Sequence, residues 1–154
     1  MRERHEPQII GIAEYVDFPD WRIRSLRAKV DTGARTSALH VENLRELSGS
    51  RVRFDVRLHR TDTTARVTVE TKVSRRAFVR WSSGMAAERV FVRVRVRLGG
   101  SEQVLEVGLV DRGNMIYRML LGRAALEARY LVDVSKRYAL GGLPGAQPQP
   151  KFAR

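Results

Sequence analysis

Residues 92 to 98 read Val-Arg-Val-Arg-Val-Arg-Leu, apolar and cationic side chains in strict alternation. Only an extended strand, whose successive side chains point to opposite faces, can bury one half of such a run and keep the other half in water. A helix would spread both sets around its circumference. The same period of two governs Arg51 to Leu58, where Val52, Phe54, Val56 and Leu58 share a face, and it resumes at Val67 and Val69 beyond the polar stretch Thr61-Asp62-Thr63-Thr64. That pair reads as a hairpin. A second hairpin pairs Ala77 to Arg80 with Arg89 to Leu98 across Trp81-Ser82-Ser83-Gly84-Met85, and Gly99-Gly100-Ser101 turns the chain into a further strand, Val104 to Val110.

The remaining elements follow the same logic. Gln8 to Val16 predicts a first strand, broken by Pro19 and Asp20. Leu26 to Val30 and Thr36 to Val41 predict two short strands, and Glu42 to Ser50 predicts a loop or short helix. Met119 to Gly122 is an apolar strand, Arg123 to Arg129 the one expected helix, and Tyr130 to Val134 with Arg137 to Leu140 a closing pair of strands. The tail from Gly141 is rich in Gly and Pro, so residues 142–154 are expected to be flexible and residues 1–141 to form the domain. The fold expected is mainly β, a closed barrel with one short helix.

Composition bounds the chemistry. At 154 residues and 43% hydrophobic the chain can bury a core as a single domain. It has no cysteine, which excludes disulfides, thiolate catalysis and Cys-based zinc sites and fits a reducing cytoplasm. The start, Met1 to Pro7, is charged and lacks an apolar signal core, and no run is long enough to span a membrane. A net charge of +12 points to an acidic partner. RNA-stacking aromatic motifs and Cys/His fingers are absent, which argues against nucleic acid. Arg93, Arg95 and Arg97 form a basic stripe that reads first as a solvated face.

One stretch carries chemistry: Ala28-Lys29-Val30-Asp31-Thr32-Gly33-Ala34-Arg35-Thr36-Ser37-Ala38-Leu39-His40. A carboxylate at a strand end can hold and deprotonate a water, and Gly33 allows a tight turn and close substrate approach. Aspartic peptidases use two such carboxylates, which cannot both be ionised when held close together. By itself Asp-Thr-Gly is an ambiguous turn. The order of later features narrows it: a hairpin with a Ser-Ser-Gly tip, then Leu120-Leu121-Gly122-Arg123 opening a helix.

In that order the chain resembles the retropepsin-like aspartic peptidases, and more closely a bacterial family labelled ATP-dependent zinc proteases. The matching pieces are residues 28–40, Ser82-Ser83-Gly84 followed by Glu88-Arg89, and Arg118 to Arg123 with Leu131-Val132-Asp133 after them. Together they cover most of residues 9 to 141. The resemblance implies that Asp31 is the catalytic aspartate with Thr32 and Gly33 as its scaffold. It implies that Ala34, Arg35 and the flap tip Ser82, Ser83, Gly84 and Met85 meet the substrate, and that Leu120, Leu121 and Gly122 support the loop. Asp111-Arg112-Gly113 lacks the hydroxyl residue and Asp133 is followed by Val134, so one chain supplies one such aspartate. A two-aspartate mechanism then requires a homodimer.

Neither half of the family label is expected to describe the chemistry. There is no His-Glu-x-x-His among His5, His40 and His59 and no Gly-x-x-x-x-Gly-Lys-[Ser/Thr], so no metal and no cofactor is expected. His40 reads either as a ligand with Asp31 and a remote Glu, or as a structural histidine. Arg35 reads either as a contact for an acidic substrate or as a solvated arginine, Trp81 as a substrate contact or a core edge, and Glu88 with Arg89 as a flap ion pair. Three functions follow: a homodimeric aspartic peptidase, with glutamate-rich protein segments as candidate substrate; a non-catalytic module that binds an acidic partner; or a zinc protease as the label says.

Overall fold

The computed structural model describes residues 6–59, 62, 64–80, 83–111 and 116–141. Its strands are β1 (Gln8–Ile10), β2 (Ala13–Phe18), β3 (Ile23–Val30), β4 (Ser37–His40), β5 (Glu42–Leu47), β6 (Arg51–Arg57), β7 (Arg66–Lys72), β8 (Arg75–Arg80), β9 (Ala86–Leu98), β10 (Ser101–Val110), β11 (Met119–Leu121) and β12 (Tyr130–Val132). A 3-10 turn, Pro19–Trp21, joins β2 to β3, and the one α-helix described is α1, Arg123–Leu126.

Six strands close on themselves in the order β10-β4-β11-β3-β2-β9, because β9 pairs with β10 as well as with β2. The protein is therefore a mainly β, closed six-stranded barrel with one short helix. The alternation that predicted β9 is what closes it: Val90, Val92, Val94, Val96 and Leu98 are buried in the barrel, while Arg93, Arg95 and Arg97 stay outside. Arg95 and Arg97 both reach Glu102 on β10 (3.3 and 3.2 Å). These are exposed pairs, worth under about 1 kcal/mol each. β8 extends the sheet beyond β9 as the outer strand of a hairpin.

A three-stranded antiparallel sheet, β5-β6-β7, covers one side. Val52, Phe54 and Val56 turn inward to the common core with Phe18, Leu39 and Leu121. Its outer surface is tied by ion pairs such as Arg53–Glu70 (2.9 Å) and by Asp55, which accepts hydrogen bonds from Asn43 and Thr68.

The structure corrects four expectations. Glu42–Leu47 is a strand, not a loop or helix; it is almost wholly exposed, so no apolar alternation marks it. The expected first strand breaks after Ile10, where the Gly11 N–H turns to the Glu14 carboxylate (2.7 Å) and the Ile12 N–H to the Lys136 carbonyl (2.8 Å); the approach is close enough that a Cβ at Gly11 would lie 2.4 Å from that oxygen. The helix is a single turn: Glu127 leaves the helical region (ψ 132) and Ala128 is left-handed (φ 63). Residues 137–140 do not pair with β12, which instead runs parallel to β1. The Tyr138 amide donates to the Ala13 carbonyl (2.8 Å), and those of Ala139 and Leu140 go to the fully buried Glu14, whose carboxylate accepts from the backbone N–H of Gly11 (2.7 Å), Ala139 (2.9 Å) and Leu140 (3.1 Å). The expected tail, 142–154, lies outside the described residues. No helix among the described residues is long and apolar enough to cross a membrane.

Candidate active site

The Asp-Thr-Gly stretch lies where three barrel strands meet. β3 runs parallel to β11, with Val30 opposite Leu121, and β4 runs antiparallel to β11, with Ala38 opposite Leu120. The end of β3, the end of β11 and the start of β4 therefore share one edge of the barrel. The Asp31 amide donates to the Leu121 carbonyl (2.8 Å) and extends the ladder by one residue. The chain then turns on its own carboxylate: Gly33 N–H donates to Asp31 Oδ1 (3.0 Å) and Ala34 N–H to the Asp31 carbonyl (3.3 Å). Oδ2 has no hydrogen-bond partner among the described residues, and neither has the Thr32 hydroxyl.

The far side of the loop is held by α1. Amides in the first turn of a helix have no partner within it. Here those of Arg123 and Ala124 donate to the carbonyls of Ala34 (2.8 Å) and Arg35 (2.9 Å). The Arg123 guanidinium donates to the Thr32 carbonyl (2.9 Å), and the buried Ser37 hydroxyl accepts from Gly122 N–H (3.1 Å). Gly122 has to be glycine, since a Cβ there would lie 2.4 Å from the Thr36 oxygen. Leu120-Leu121-Gly122-Arg123 thus fixes the loop from beneath, as the motif order predicts. Ser37 and the Arg123 side chain are additions. Ser37 has the pattern of any strand serine, and the one available signal is its place six residues after Asp31.

Asp31 and Ala34 are half-buried, and Thr32, Gly33 and Arg35 are exposed. The backbone of Ala34 and Arg35 serves the helix, which leaves the Arg35 side chain in solvent. Ser83, Gly84 and Met85 are exposed at the tip of the β8–β9 hairpin, with Gly84 at φ 84, and make no hydrogen bond to residues 31–35. Ser82 and Trp81 lie outside the described residues. Glu88 is held by Arg76 across the hairpin (3.1 Å). Asp133 caps a turn, accepting from Ser135 N–H (2.9 Å) and Oγ (2.6 Å).

The structure separates His40 from Asp31. His40 is at the other end of β4, its amide bonded to the Arg118 carbonyl (2.8 Å). At ~3.3 Å per strand residue the two are on the order of 10 Å apart, too far to share an ion. His40 is buried; loss of solvation, then the nearby Arg118 cation, lowers its pKa below the usual histidine range against smaller opposing effects of Asp111 and Glu42. No group of three His, Cys, Asp or Glu that could hold a metal occurs among the described residues. The residues described do not fit the zinc of the family label.

A closed barrel with one Asp-Thr-Gly loop locked beneath by an apolar-apolar-Gly strand and a short helix defines a retropepsin-like fold. The chain belongs to the RimB-like family, described as retropepsin-like aspartic endopeptidase RimB, whose model matches residues 9–141. It is 36% identical over 138 residues to a probable alpha-L-glutamate ligase of Shewanella pealeana, covering 86% of this chain and 30% of that protein. A probable alpha-L-glutamate ligase of Parasynechococcus marenigrum is 33% identical over 148 residues, covering 94% and 32%. The chain thus spans about a third of the length of these relatives. The crystal structure of a Legionella pneumophila protein of unknown function (DUF785) superposes with a TM-score of 0.70, covering 88% of this chain and 99% of that one at 24% identity, which supports the fold.

Proposed function

We propose that the protein is an aspartic peptidase that works as a homodimer, each subunit supplying Asp31, and that it cleaves glutamate-rich protein segments. The observation that carries the reading is the Asp31 loop itself. Its backbone is pinned on both sides, while Oδ2 and the Thr32 hydroxyl bond to no other described residue and so are available to a second copy. A second copy of the same loop supplies both partners: a second carboxylate, and backbone for the hydroxyl to bond. One carboxylate then acts as base toward a water and the other, protonated, donates to the scissile carbonyl oxygen. Hydrolysis adds the water across the C–N bond and returns the shared proton. The β8–β9 hairpin closes over the bound peptide and excludes bulk water.

The substrate class rests on charge and on company. The chain carries +12. Domains like it form part of longer proteins named for joining glutamate. In this reading the domain is the hydrolytic counterpart of that chemistry, and ligation stays with the longer relatives. The test is a peptide carrying a run of glutamates, incubated with wild type and Asp31→Asn, with the mass of the protein in solution measured to distinguish monomer from dimer. Cleavage by a dimer, lost in Asp31→Asn, is expected; a strict monomer, or activity that survives the substitution, overturns it.

A further inference from the structure

A row of cations runs along the outside of β3 toward Asp31. Arg22, Arg24, Arg27 and Lys29 are all exposed. Their spacing does not fit a period of two, and the structure explains why. Ser25 is left-handed (φ 57), and the β2–β3 register slips there, from Phe18 opposite Ile23 to Val16 opposite Leu26. The extra residue resets the phase, so Arg24 and Arg27 both face solvent. Across β2, Arg97 pairs in register with Asp17. Arg22, Arg24 and Arg97, with Asp17, Pro19 and Ile23, line an open cleft of about 360 Å³. The carboxylates here are already engaged: Asp17 Oδ1 accepts from Ser25 N–H (2.7 Å), and Glu102 is shared by Arg95 and Arg97. Arg22, Arg24, Arg27 and Lys29 form no salt bridge with a described residue.

We propose that this row is a docking track for an acidic peptide, beginning in the cleft at Arg22, Arg24 and Arg97 and leading past Arg27 and Lys29 to Asp31. The track rests on the peptidase reading only for its direction. Guanidinium groups match carboxylates with paired donors. An RNA strand would need rings to stack on, and the rings beside the cleft are engaged in pairs: Tyr15 stacks on Tyr138 (4.4 Å) and Trp21 on Phe18 (5.3 Å), leaving among the described residues only the half-buried Tyr117 beside Arg27. β3 has 8 residues. At ~3.3 Å each, an extended peptide needs roughly eight residues to lie in the cleft and reach Asp31 together. Short acidic peptides engage one end; long ones engage both.

The experiment measures binding of labelled peptides of four and twelve glutamates, and of a twelve-nucleotide oligouridine, to the Asp31→Asn protein at fixed ionic strength. The long peptide is expected to bind roughly tenfold tighter than the short one, and Arg22→Ser with Arg24→Ser and Arg97→Ser to remove most of that advantage. Should that triple variant lose its cooperative thermal transition, Arg24→Ser with Lys29→Ser, both at exposed positions, gives the same reading. Equal binding of the two lengths, an unchanged advantage in the variant, or oligouridine binding as tight as the long peptide overturns the proposal. Length-dependent binding that the variant abolishes, with no cleavage by wild type, keeps the track and sinks the peptidase.

Discussion

The Asp31 loop and the β8–β9 hairpin are the two halves of the proposed site, and they are built on opposite principles. The loop is short and over-determined. Its amides and carbonyls are taken by Leu121, Arg123 and Ala124, and Gly122 leaves no room beneath it. The hairpin projects from the barrel with Phe78 and Met85 in solvent and a left-handed Gly84 with nothing within 4 Å of a Cβ there. A reacting carboxylate gains from being held in one place. A cover gains from being able to move. The difference is carried by backbone hydrogen bonds and by what surrounds two glycines, both of which can be altered singly.

The largest expected effect follows from Gly122→Ala. Its methyl would meet the Thr36 carbonyl, so a cost of about 3 kcal/mol and a fall of roughly 10 °C in the melting temperature are expected. Gly84→Ala meets only open space, and its left-handed backbone costs about 1 kcal/mol. Comparable losses at the two glycines would break the contrast. Ser37→Ala comes next: it leaves the Gly122 N–H buried without its acceptor, at about 1–3 kcal/mol by denaturant unfolding.

His40 gives a smaller, pH-dependent effect. Its folded pKa is lowered, so as pH falls the unfolded chain takes up the proton before the folded one does. The contribution is complete above about pH 6.5 and is lost as pH drops from there toward the lowered folded value, by at most ~1.4 kcal/mol per pH unit. His40→Gln is expected to flatten the stability curve over that window, measured by urea unfolding at several pH values. The smallest effect belongs to the hairpin. Met85→Ser and Phe78→Ser each change stability by under about 0.5 kcal/mol. In the proposed reading Met85→Ser raises KM for peptide while leaving the melting temperature in place.

The barrel was legible wherever one face of a strand is buried and the other wet. β6, β7, β9 and β10 announce themselves through apolar-x-apolar alternation, and their pairing follows from the turns between them. β5 was not legible, because an exposed strand buries no side chains in alternation and owes its place to pairing with β6. Residues 137–140 misled for a different reason. Arg-Tyr-Ala-Leu has strand propensity, but the Ala139 and Leu140 amides are captured by Glu14, more than 120 residues earlier in the chain. At the site, Asp31 and the Leu120–Arg123 motif were readable because order along the chain constrains which strands can meet. Ser37, the Arg123 side chain and the cations on β3 were not. Each matters through a contact or a phase shift, such as the one at Ser25, that leaves no periodic mark.

In the proposed reading Asp31 is half of a shared site. The most direct measurement is activity on a glutamate-extended peptide after wild type and Asp31→Asn subunits are unfolded together in varying proportion and refolded. If both aspartates of a dimer are required, activity falls as the square of the wild-type fraction. A linear fall, with each wild-type subunit keeping its full activity, would contradict the account.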